Sequence, residues 1–110
     1  MDGGEVIRVR IGSDERDMTE SVDEHWINQQ INRRRHEGQQ VCVQVTVREP
    51  GVDAVLSSPG CGSPGGGGRP PNVEEREIFD LWNQRGLNRA DFTGGNLVAF
   101  LKQLRSLVTR

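Results

Sequence analysis

The sequence predicts an α+β fold in which a β-α-β-β unit precedes a pair of helices. Three observations point to it. Apolar and polar residues alternate over residues 5–11 and again over 41–56, the period of half-buried strands. Between them Val22, Trp26, Ile27 and Ile31 share one helical stripe. Beyond a Gly/Pro/Ser-rich segment, residues 73–108 carry apolar side chains at helical spacing.

In the first strand Ile7, Val9 and Ile11 take one side and Arg8 and Arg10 the other. Gly12 ends the run, and Ser13 to Met18 reads as a polar loop. Ser21 with Glu24 fits a capping box for the first helix, with Thr19 as an alternative cap. Glu20, Asp23 and Glu24 at its start and Arg33, Arg34 and Arg35 at its end suit the helix dipole, and Gly38 suits its stop. Val41, Val43, Val45 and Val47 then alternate with Cys42, Gln44, Thr46 and Arg48, the strongest strand signal in the chain. In Glu49-Pro50-Gly51 the proline fixes φ and the glycine is free to take positive φ, so Val52 to Leu56 returns as the second arm of a hairpin. A helix joins the first strand to the second. The two are therefore expected to lie parallel, through a right-handed crossover, in a small mixed sheet of three strands.

Residues 57–72 contain no apolar side chain except Cys61 and read as a flexible Gly-rich hinge. Asn72 caps a helix predicted over 73–85, with Ile78, Leu81 and Trp82 on its stripe and Phe79 beside it. Gly86 followed by Leu87 predicts a Schellman stop. The last helix, about 95–108, is entered through Thr93-Gly94-Gly95. Its Leu97, Val98, Phe100, Leu101, Leu104, Leu107 and Val108 cover more than half of its circumference. Such a helix is buried on two sides or exposes a partner site.

A chain of 110 residues is expected to be a single domain, 1–110, in which the halves 5–56 and 73–108 share one core. Its net charge of −2 excludes a general polyanion binder. The stretch before the hinge carries seven Arg and eleven acids (−4), and residues 57–110 carry seven basic residues and five acids (+2), a weak mutual attraction. Thirteen arginines against one lysine suit a GC-rich bacterial genome. Two cysteines do not make a disulfide framework, so Cys42 and Cys61 read as free thiols of a cytoplasmic protein; a bridge between them would require the Gly-rich segment to fold back. No apolar run reaches the length of a membrane span, and Met1 to Glu5 lacks the apolar core of a signal peptide.

Catalytic and metal patterns do not emerge. His25 and His36 stand eleven residues apart, neither at ligand spacing with cysteines or carboxylates, so no metal is expected. Gly65 to Gly68 lacks the Gly-Lys-Ser/Thr of a phosphate loop, and the order of Ser, His and acids suggests no triad. As a nucleophile, Cys42 or Cys61 would need a lowered pKa and a nearby base. No cofactor is expected. The dense Arg33-Arg34-Arg35-His36 run reads as a helix-end charge pattern.

These features predict a non-enzymatic protein–protein interaction module, a small cytoplasmic adaptor or accessory subunit. Phe100, Leu101, Leu104, Leu107 and Val108 would bind a protein partner or a second copy of the chain. The alternative is anion or nucleic-acid binding through Arg8, Arg10 and Arg48 on the polar sheet face, where bidentate contacts would grip phosphates. That face has no aromatic residue on which bases would stack, which argues against single-strand recognition.

Overall fold

The computed structural model describes residues 5–61 and 72–108, without the side chain of Val108. Among these residues the elements are β1 (Val6–Ile11), β2 (Asp14–Asp17), α1 (Glu24–His36), β3 (Val43–Glu49), β4 (Val52–Ser57), α2 (Val73–Gln84) and α3 (Gly94–Val108), with a 3₁₀ turn at Pro59–Cys61. The fold is α+β. The sheet, however, has four strands in the order β2-β1-β3-β4, and every pairing is antiparallel.

The polar stretch after Gly12 is thus a strand and not a loop. Asp14-Glu15-Arg16-Asp17 runs beside β1 with all four residues exposed. An all-polar edge shows no alternation in sequence, and its charges discourage pairing with another chain. The turn into it requires glycine: Gly12 takes φ +65°, and a Cβ there would lie 2.4 Å from Arg34 Cζ. Because β2 reverses the chain before α1, β3 meets β1 antiparallel rather than parallel. The hairpin of β3 and β4 turns through Pro50-Gly51 as predicted, with Gly51 at φ +87°, the arrangement of a type II turn.

Asp23, rather than Ser21 or Thr19, caps α1. Its carboxylate accepts from the Trp26 N–H at 3.1 Å, and an ionised acceptor suits the positive helix end. Thr19 instead accepts from the Ile7 N–H at the start of β1. At α2 the Asn72 side chain accepts from Glu75 N while Glu75 accepts from Asn72 N, a full capping box. The helix ends as predicted, with the Leu87 N–H donated to the Trp82 carbonyl at 3.1 Å.

One apolar cluster joins both halves. Ile7, Val9 and Ile11 of β1 and Val43, Val45 and Val47 of β3 lie under Ile27 and Ile31 of α1, Ile78 and Trp82 of α2, and Leu97, Phe100, Leu101 and Leu104 of α3. Met18, placed in a loop by sequence, is 1% exposed and belongs to it. Trp82 meets Phe100 edge-to-face at 5.2 Å between ring centres. Burying each of these large side chains is worth about 1.5–3 kcal/mol, which a polar chain of this size gathers only by using both halves.

Cys42 and Cys61 are not free thiols: they are joined in a disulfide. The segment expected to be a hinge therefore begins in fixed structure. Ser57 closes β4, Ser58 is buried, and Pro59–Cys61 turns back to Cys42. The rest of that hinge, 62–71, lies outside the described residues.

Candidate functional site

The structure places the expected partner-binding residues of α3 in three different settings. Phe100, Leu101 and Leu104 are 0% exposed and form the centre of the core. To touch a partner they would have to leave it. Leu107 packs at the margin of the core and is only partly buried. The side chain of Val108 lies outside the described residues.

The arginine face is assembled as the alternation predicts, but with acids that β2 and β4 bring. Strand register sets Arg10 beside Glu15, Arg8 beside Asp17, and Arg48 beside Asp53 on the open side of the sheet. Arg8 Nε is 4.0 Å from Asp17 and Arg48 Nε 3.8 Å from Asp53, while Arg10 Nε donates to the Gly12 carbonyl at 3.3 Å. Both ion pairs are well exposed, so each contributes little to stability. Their effect is on the field: among the described residues these three arginines are matched by three acids. The Thr19 backbone N–H, donated to Asp17 at 2.9 Å, holds the Asp17 carboxyl below the usual carboxylate range, with Arg8 adding to the effect.

The basic end of α1 works within the fold. Arg34 donates to Asp14 at 3.2 Å and to Gln30 at 3.5 Å beneath the turn joining β1 and β2. Arg35 stacks on the Phe92 ring, 4.9 Å from its centre, and donates to the Ala90 carbonyl. His25 and His36 are both exposed on α1. Among the described residues no group of three His, Cys, Asp or Glu side chains is placed to hold a metal ion. None of the helices there is long and apolar enough to cross a membrane.

At the outer end of the helical layer an open groove of about 510 Å³ separates α2 from α3. From α2 it is lined by Glu77, Asp80, Leu81 and Gln84, and from α3 by Gln103, Ser106 and Leu107. Each set repeats at three or four residues, so each is one face of its helix. Leu107 offers apolar surface, Leu81 lies at the core edge with only 9% exposure, and Glu77 and Asp80 put two carboxylates on a single wall. Arg85, bonded through Nε to Gln103 Oε1 at 2.8 Å, ties the two helices together beside it. Of these lining residues only Leu107 was singled out by sequence as a partner contact. The helical spacing of the others is visible in the sequence, but which faces of α2 and α3 meet is not.

No family model matches the chain, and no curated protein and no solved structure shows significant similarity to it.

Proposed function

We propose that this chain is a non-enzymatic interaction module, an adaptor or accessory subunit. Its α2–α3 groove receives a short apolar segment flanked by basic residues on a partner protein. The observation that supports this reading is the groove itself, where Leu81 and Leu107 lie next to the carboxylates of Glu77 and Asp80. Leu107, beside the buried Leu81, seats an apolar anchor side chain, and the carboxylates on the α2 wall favour lysine or arginine beside it. The exposed side chains of α2 reinforce that selection, because Glu74, Glu77 and Asp80 outnumber Arg76. The anion-binding alternative draws less support, because each arginine of the sheet face stands beside an acid.

The test is a displayed library of random short peptides panned against the whole chain, against Glu77→Lys/Asp80→Lys, and against Arg8→Ala/Arg48→Ala. The expected outcome is enrichment of peptides that pair leucine or phenylalanine with lysine or arginine. The enrichment is lost on the groove variant and kept on the sheet variant. Equal enrichment on the groove variant, or none on the native chain, would contradict the proposal. Salt-sensitive capture of RNA or DNA that disappears with Arg8→Ala/Arg48→Ala would move the function to the sheet.

A further inference from the structure

We infer that Ser58 and Gly60 hold Cys61 ready for Cys42, so that the working form of the chain is the disulfide-bonded one. The β3–β4 ladder ends where Pro59, which lacks an N–H, enters the 3₁₀ turn. Ser58 pins that turn to the start of β3 with three bonds. Its N–H donates to the Val43 carbonyl (2.9 Å), its hydroxyl donates to the Val41 carbonyl (3.2 Å), and the same hydroxyl accepts from the Val43 N–H (3.0 Å). Ser58 is 2% exposed, so water does not compete for these bonds. Gly60 passes so close to the segment leading into β3 that a Cβ on it would lie 2.2 Å from the Val41 oxygen. None of these contacts uses a sulfur atom. They set Cys61 against Cys42 before any covalent bond exists, turning an encounter across 19 residues of chain into a standing contact.

The chemistry closes with glutathione disulfide as oxidant. One cysteine thiolate attacks a glutathione sulfur and releases the first glutathione thiolate, leaving a mixed disulfide. The other cysteine thiolate attacks the protein sulfur of that mixed disulfide and releases the second glutathione. The cysteine pair gives up two electrons and two protons, and glutathione disulfide takes them. A pre-set pair speeds the second step and resists its reversal. A chain that stays closed against glutathione belongs where disulfides persist, so the cytoplasmic placement suggested by the cysteine count alone is what this inference puts at risk.

The experiment equilibrates the full chain in glutathione buffers of varied ratio, native and in denaturant, and counts closed and open forms by mass after acid quenching. The native chain is expected to close at ratios that leave the denatured chain open. Ser58→Ala and Gly60→Ala are each expected to lower the effective thiol concentration about tenfold. Ile31→Val, a trim in the core of α1, lowers the thermal midpoint and leaves the glutathione equilibrium unchanged. Native and denatured chains closing at the same ratio would overturn the inference. So would wild-type equilibria in both variants, or an Ile31→Val shift as large as theirs. If Ser58→Ala does not fold, Gly60→Ala decides the outcome.

Discussion

The open face of the sheet and the α2–α3 groove are both polar and both exposed, yet they are built differently. On the sheet, register puts Asp17 beside Arg8, Glu15 beside Arg10 and Asp53 beside Arg48, and the charges answer one another within the chain. In the groove, Glu77 and Asp80 share the α2 wall with Leu81, and the opposite wall from α3 brings Gln103, Ser106 and Leu107. The difference teaches that a row of arginines is not in itself a binding surface. What matters is whether the fold supplies the counter-charge. On the sheet β2 supplies it to Arg8 and Arg10, and β4 supplies it to Arg48.

The largest effect expected separates the two parts of α3. Leu104→Asp places a carboxylate at a site with 0% exposure and should cost more than about 4 kcal/mol, unfolding the chain. Leu107→Asp, at the groove, should cost about 1 kcal/mol and leave a cooperative transition in denaturant. Equal losses would mean that the groove wall is core, and the comparison would break. Next comes the disulfide at the corner of the open face. Cys42→Ser/Cys61→Ser removes a closure spanning 19 residues and should lower stability by about 3 kcal/mol while far-ultraviolet dichroism stays native.

A smaller effect is set by pH. The folded pKa of Asp17 lies below its ordinary 3.8, so its contribution to stability is present above that value and is lost as pH falls through the folded pKa. Asp23 behaves in the same direction, because the Trp26 N–H at its carboxylate holds its pKa down. Glu49 has the opposite sign: burial, with Glu5 and Glu74 nearby, pushes its carboxyl up, so its ionisation opposes folding above the ordinary value. Acid titration of Asp17→Asn should therefore show a shallower loss of stability than the native chain, and Glu49→Gln a slight gain at neutral pH. The smallest effect sharpens the comparison most: Arg8→Ala and Arg48→Ala should each change stability by less than about 1 kcal/mol, as exposed pairs do.

Much of this architecture is written locally in the chain. The β3–β4 hairpin follows from four alternating valines and Pro50-Gly51, and the stop of α2 from Gly86-Leu87, because in each case neighbouring residues fix the geometry. What escaped sequence reading depends on partners distant in sequence. Asp14 to Asp17 has no apolar residue to betray a strand, and without β2 the chain direction entering α1 is misread, which is why β1 and β3 were expected to be parallel. The disulfide is the lesser reading of the sequence because Cys61 sits in a segment that composition alone assigns to disorder, whereas Ser58 and Pro59 fold that segment back. The candidate site shows the same division. The three arginines were visible from alternation, but Glu15 and Asp17 were not placed beside them. The groove needs the relative rotation of α2 and α3, which shows only in the fold, where Trp82 meets Phe100.

The most direct test of the central claim is a titration of the isotope-labelled chain with a short amphipathic peptide of leucine and lysine, followed by amide chemical shifts. The account predicts saturable shifts confined to residues lining the groove, such as Asp80, Gln84, Gln103 and Ser106, and their loss in Glu77→Lys/Asp80→Lys. Shifts centred on Arg8, Thr46 and Val55, or a weak drift over the whole surface without saturation, would contradict it.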